Sequence, residues 1–269
     1  MKYAFPKGGL PGQDEHPISS AIFKNAYACL PAATHRDIVT SYFPQWSRTR
    51  AWIFARPLSG FAETFAQYAI EIAPEGGSDS PDPDKTAQSI LFVASGKGSL
   101  NINKEQYTIV AGSYAYIPAG ATWTLHNADN SLLQIHWVRK TWEPAPGLKP
   151  PNAFVTHEEE HKAQAMPDCG GVWATTRFVD PDDLRHDCHV NIVTLQPGGR
   201  IPFAETHVME HGLYVLQGTA DYLLNTDWVS VSSGDFMWLR AFCPQACIAT
   251  GKEPFRYLLY KDVNRHPKL

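Results

Sequence analysis

Charge is scarce in this sequence. Asp, Glu, Lys and Arg make up 19% of the 269 residues, and the formal net charge is −4. No basic stripe runs along the chain, so nucleic-acid binding has no electrostatic footing. No apolar run reaches the ~18 residues that a membrane-spanning helix needs, so no membrane partner is expected. Met1 to Pro11 holds no apolar stretch of signal-peptide length, and the expected location is the cytoplasm. Cysteine is sparse as well. Cys29, Cys169, Cys188, Cys243 and Cys247 are an odd set without a tight framework, and they read as reduced thiols. What the chain does have is apolar residues (43%), aromatics (12%), 21 Pro and 19 Gly. That composition excludes general disorder and is enough for a proper core. Few charges with many aromatics and turn formers point to an all-β protein.

The apolar pattern agrees. Phe65–Ala73, Ser89–Ala94, Ser99–Asn103, Tyr107–Val110, Tyr114–Pro118 and Leu132–Val138 are short runs cut by Gly, Pro, Asn and Asp. Strands of this length and spacing predict a sandwich or barrel. Lys24–Leu30 and Ile38–Phe43 suit either a strand or a short helix, in an arm that packs on the body. The stretch from Trp142 to Asn152 holds four prolines and reads as a linker. His157–Ala165 is polar and suits a short helix.

The two halves repeat. Gly96 and Gly218 lie 122 residues apart. In that frame Leu91-Phe92-Val93 falls on Leu213-Tyr214-Val215, Gly112 on Gly234, Gly77 on Gly199, and Tyr114 and Tyr116 on Phe236 and Trp238. No gap is needed from residue 77 to 123, so the chain reads as two copies of one β module.

Only the second copy carries a ligand set. Glu205, His207 and His211 share parity, so one regular strand would aim all three at the same face. Two imidazoles and a carboxylate this close form a metal-binding set. Gln245 lies further on, with Cys243 and Cys247 on its face, and the two thiols read as small buried packing groups. The first-copy positions matching Glu205, His207, His211 and Gln245 are Pro83, Lys85, Ser89 and Trp123, which ligate nothing. The other histidines show no ligand spacing.

The spacing G-x5-E-x-H-x3-H-x6-G, followed by G-x10-Q, resembles the two cupin motifs. Cupins usually show G-x5-H-x-H-x3,4-E-x6-G and then G-x5-P-x-G-x2-H-x3-N. Here Glu205, His211 and Gln245 replace the first His, the Glu and the last His. The first copy keeps Gly112, Pro118, Gly120 and Asn127 but has Trp123 in place of the His. The resemblance implies a bicupin: an arm (1–50), a metal-free jelly-roll barrel (51–142), a linker (143–170) and a second barrel with a metal site (171–269). Homo-oligomerisation is expected, because cupin sheets commonly bury an edge against a partner.

The Glu, His, His, Gln set, with FAETHVMEHGLYVLQG and YLLYKDVNR, is similar to the (S)-ureidoglycine aminohydrolases of purine (allantoin) catabolism. The resemblance covers most of residues 50–266. By donor type the site suits Fe(II), Zn(II) or Mn(II), and the family implies Mn(II). Lys261 and Tyr257 share parity on the last strand, and a Lys beside a cation in a dry cavity has a lowered pKa. The family places its catalytic Lys at Lys261 and its substrate-contacting tyrosines at Tyr257 and Tyr222. Asp187 is a further candidate for holding a substrate amine or ureido group. The implied reaction is release of ammonia from (S)-ureidoglycine to give (S)-ureidoglycolate. Another metal cupin enzyme, such as a dioxygenase or isomerase, and a non-enzymatic metabolite-binding cupin remain the alternatives.

Overall fold

The computed structural model describes residues 21–35, 41, 43–57 and 60–263. Ile38–Phe43 therefore lies largely outside the described residues. Two short strands come first, β1 (Ile22–Phe23) and β2 (Tyr27–Leu30). The first barrel follows with β3 (Ser47–Ala55), β4 (Ala66–Ser78), β5 (Ala87–Ser95), β6 (Lys97–Ile102), β7 (Glu105–Val110), β8 (Ser113–Ile117), β9 (Trp123–Asn127) and β10 (Leu133–Thr141). After it come β11 (Phe154–His157), a single 3-10 turn (Glu158–Glu160) and β12 (Gln164–Ala165). The second barrel is β13 (Trp173–Thr176), β14 (Cys188–Leu195), β15 (His211–Gln217), β16 (Thr219–Leu224), β17 (Asp227–Ser232), β18 (Phe236–Leu239), β19 (Gln245–Ala249) and β20 (Phe255–Asp262).

The molecule is all-β, two antiparallel jelly-roll barrels in one chain. The repeat is visible strand by strand: β16, β17 and β19 begin and end 122 residues after β6, β7 and β9. The frame slips by one residue at β4 and β14. Trp137 pairs with Tyr68, whereas its counterpart Leu259 pairs with Asn191. Of the matched glycines, Gly96 and Gly218 both have positive φ (85° and 79°), as strand-to-strand turns require.

The barrels exchange strands. β2, which precedes the first barrel, pairs with β18 of the second, Leu30 opposite Phe236. β11, which precedes the second barrel, pairs with β8 of the first, Phe154 opposite Tyr116. Each exchange covers a sheet edge that would otherwise expose unpaired N–H and C=O groups. Residues 143–170 are thus not a plain linker: 154–157 are part of the first barrel's sheet.

Between the barrels lies an aromatic layer. Phe65 stacks on Tyr260 with centroids 3.9 Å apart, and Phe54 on Phe236 at 5.4 Å. A buried Phe such as Phe65 contributes ~1.5–3 kcal/mol. Gly212 permits this packing, because a side chain there would meet the Phe65 ring and Gln67 Oε1 at 2.6 Å. The interior of the first barrel is apolar. Trp123 stands where Gln245 stands in the second, edge-on to Trp137 at 5.7 Å.

Candidate active site

Inside the second barrel is a cavity of about 170 Å³. Glu205, His207, His211, Gln245, Tyr257 and Lys261 all line it. Clefts of about 480 and 490 Å³ between the barrels are larger, but neither gathers ligating side chains in this way.

The ligand candidates do not share one regular strand, as their parity suggested. Glu205 and His207 lie in the irregular segment before β15, and His211 is the first residue of β15. Backbone bonds hold the segment in place. Glu205 and Gln245 form an isolated bridge, exchanging N–H···O bonds of 2.8 and 3.0 Å. Residues opposed in this way present their side chains to the same face. The Phe242 N–H donates to the His207 carbonyl at 2.8 Å.

The imidazoles of His207 and His211 face each other, with Nε2 atoms 3.2 Å apart. His211 Nδ1 lies 2.8 Å from the Glu210 carbonyl. That contact makes Nδ1 the protonated nitrogen and leaves Nε2 a lone pair. Burial pushes both imidazoles below their ordinary pKa, His211 to about 3. Both are neutral at pH 7, the form that ligates metals. Gln245 Nε2 lies 3.2 Å from His207 Nε2, and Gln245 Oε1 accepts from the Tyr222 hydroxyl at 3.1 Å. Turning the carboxamide over exchanges those roles and brings Oε1 to the imidazoles.

This donor set fits a divalent cation. Burial raises the Glu205 carboxyl pKa, with Lys261 opposing; a cation would favour its charged form. Among the described residues no three His, Cys, Asp or Glu side chains converge on one point. Glu205 therefore joins the imidazoles only by turning its side chain. The thiols of Cys243 and Cys247 belong to the apolar core and do not line the cavity.

Lys261 enters the cavity from β20, cross-strand from His211. Burial first, then the Arg177 charge, lowers its pKa, while Glu205 and Asp262 act the other way. Tyr257 lines the cavity from the same strand, and burial raises its hydroxyl well above the ordinary range, so it remains a donor.

Two expected substrate contacts stand elsewhere. Tyr222 does not line the cavity; it sits behind Gln245 and edge-on to Tyr257 at 6.0 Å. Asp187 is buried between the barrels. Its Oδ2 accepts from Lys140 Nζ at 2.7 Å and from the Glu143 N–H at 2.8 Å, and Oδ1 accepts from Gln88. A buried lysine of the first barrel draws this carboxylate away from the site, which local sequence does not reveal.

Sequence reasoning also missed Glu210. Its carboxylate accepts from the backbone N–H groups of Glu63 and Thr64, the Thr64 hydroxyl and Trp238 Nε1, at 2.5–3.1 Å. Its carbonyl holds His211. The first barrel thus props the segment that carries the candidate ligands of the second through residues 63 and 64. The one sequence signal was a carboxylate directly before His211.

Known proteins share this architecture. The cupin domain profile matches residues 69–139 and 191–260. A rice protein named as a probable (S)-ureidoglycine aminohydrolase is 31% identical over 95% of this chain and 79% of its own. The (S)-ureidoglycine aminohydrolase of Escherichia coli is 28% identical over 86% of this chain and 87% of its own. A Pseudomonas aeruginosa protein provisionally named as glyoxylate-induced has a crystal structure that superposes with a TM-score of 0.91. It is 54% identical and covers 100% of this chain and 98% of its own. With the doubled barrel and the Glu, His, His, Gln set in place, the chain belongs to the cupins and, among them, to the (S)-ureidoglycine aminohydrolase family.

Proposed function

We propose that this protein is a metal-dependent hydrolase that releases ammonia from (S)-ureidoglycine to give (S)-ureidoglycolate, in purine catabolism. The observation that carries the reading is the meeting, in one buried cavity, of two neutral facing imidazoles and Lys261 with its lowered pKa. Glu205, His207, His211 and Gln245 are the residues that would hold the ion, Mn(II) by family, with Fe(II) or Zn(II) compatible by donor type. Such an ion supplies Lewis acidity and a residual positive charge, since only one ligand is anionic.

The chain's own residues supply the proton transfers. The substrate amine must be protonated as its C–N bond breaks, while the ureido nitrogen's electron pair forms C=N. Lys261 is the donor. Water then adds to the same carbon, and Lys261 takes the proton back, so substrate and water give ureidoglycolate and ammonia. Burial lowers the lysine's pKa from its ordinary value, which eases proton transfer in both directions. Tyr257 donates a hydrogen bond to the ureido group. Tyr222 orients Gln245.

The test is ammonia release from freshly generated ureidoglycine by metal-stripped protein, with and without added Mn(II). Turnover restored by Mn(II) is expected. Oxygen uptake on substrate addition, or binding without turnover, would replace this reading with a dioxygenase or a sensor.

A further inference from the structure

Two polar residues on the wall of this cavity, Arg177 and Asn191, have no substrate contact assigned above. Trp173, Thr175 and Arg177 alternate onto the inner face and all line the cavity. Trp173 pairs with Leu195 and Thr175 with Val193, so one further step sets Arg177 beside Asn191. Asn191 pairs with Leu259 on β20, two residues from Lys261. Arg177, Asn191 and Lys261 thus stand on three neighbouring lengths of chain around one end of the cavity.

Neither residue is satisfied by the protein. Arg177 Nη1 donates to Gln164 Oε1 at 2.5 Å, its one hydrogen bond among the described residues. That contact anchors the guanidinium and leaves its other donors open. Asn191 is 2% exposed, yet its Oδ1 has no hydrogen-bond partner. A buried unsatisfied carbonyl is costly, and such groups in native proteins call for an explanation such as an unseen ligand.

The repeat supplies an internal control. Tyr68 is the counterpart of Asn191, by their pairing with Trp137 and Leu259, and Tyr68 pairs with Ile53. Ile53 and Tyr68 pack into the apolar interior of the first barrel. The polar pair occurs only in the barrel that also has the facing imidazoles.

We infer that Arg177 and Asn191 determine substrate specificity at this site. Arg177 takes the carboxylate of a small ureido acid, and the Asn191 Oδ1 accepts a hydrogen bond from its ureido N–H. The inference rests on the proposed function for the substrate's identity, but its geometry requires only a carboxylate and a urea group on one small molecule. Two cations, Arg177 and Lys261, facing one cavity suit an anionic ligand, and a guanidinium pairs with carboxylate in bidentate fashion.

The test separates this inference from that of function. N-carbamoylglycine carries the carboxylate and ureido group but lacks the leaving amine, so its binding can be followed by calorimetry without turnover. Arg177→Gln should weaken its binding about 10–100-fold at unchanged Mn(II) content, the range for a hydrogen bond to a charged group. Arg177→Lys should recover part of that loss, and Asn191→Leu should weaken binding about 5–10-fold. With ureidoglycine the loss should appear in KM, and a change in kcat should come with a shift of its pH profile, because the Arg177 charge also lowers the Lys261 pKa. The carboxamide analogue of N-carbamoylglycine should bind wild type and Arg177→Gln equally. If Arg177→Gln binds N-carbamoylglycine as wild type does, or loses the carboxamide equally, the inference is overturned, whether or not the enzyme turns over ureidoglycine.

Discussion

Arg139 and Lys261 hold the same position in the two barrels, and only Arg139 is neutralised. Its Nε and Nη2 donate to Asp82 Oδ2 and Oδ1, each at 2.7 Å. Lys261 makes no ion pair among the described residues and lines the cavity instead. A guanidinium forked onto a buried carboxylate is a structural tie. A buried ammonium without a counter-ion gives up its proton more readily than an exposed one. One duplicated strand end has thus become a clamp in one copy and, in the proposed reaction, a proton carrier in the other.

Lys261→Met should lower kcat for ammonia release by about 10²–10⁴-fold, the usual contribution of general acid–base catalysis. Metal content should stay at the wild-type level. Wild-type turnover in this variant would make Lys261 a bystander and shift the proton transfer to Tyr257 or to water.

Metal analysis should find one ion per chain, held in the second barrel. His207→Ala removes one of the two facing imidazoles and should empty the site. The apolar, Trp123-filled first barrel should take none. Two ions per chain, or full occupancy in the variant, would refute the ligand assignment.

Asp187→Ala should unfold more readily while keeping its KM. The substitution leaves Lys140, whose side chain is 6% exposed, without its buried partner. Breaking such a pair costs ~3–5 kcal/mol. Denaturant titration and steady-state kinetics on the same preparation distinguish this from a role in substrate binding, which would raise KM at unchanged stability.

His136, which does not line the cavity, should add an acid sensitivity. It is buried against the Tyr214 ring at 4.0 Å, and burial lowers its pKa from 6.5 to about 4. The unfolded chain therefore binds a proton that the folded chain refuses. The resulting stability is fully present above about pH 6.5 and is lost as the pH falls toward 4. Every tenfold difference in proton affinity between the folded and unfolded chains is worth about 1.4 kcal/mol. Between pH 7 and 4.5, His136→Gln should lose less stability than wild type in denaturant titrations; parallel curves would exclude the effect.

Much of this protein is legible in its sequence. The glycines at 96, 112, 218 and 234 mark turns that only a repeated β frame requires, and the alternation between them sets the strands. The candidate ligands are also legible, because Glu205, His207 and His211 have no counterparts in the first copy. Other features depend on contacts between distant segments. Asp187 looks available until Lys140, 47 residues earlier in the chain, is placed against it. Tyr222 looks like a substrate contact, yet the β16–β19 pairing sets it behind Gln245. Glu63, Thr64 and Glu210 meet only because the first barrel folds against the second. Periodicity and spacing report which face of its own strand a residue takes, since that follows from backbone geometry. Which partner waits on that face depends on how sheets pack, and a buried charge or amide goes to whichever partner best offsets its lost hydration.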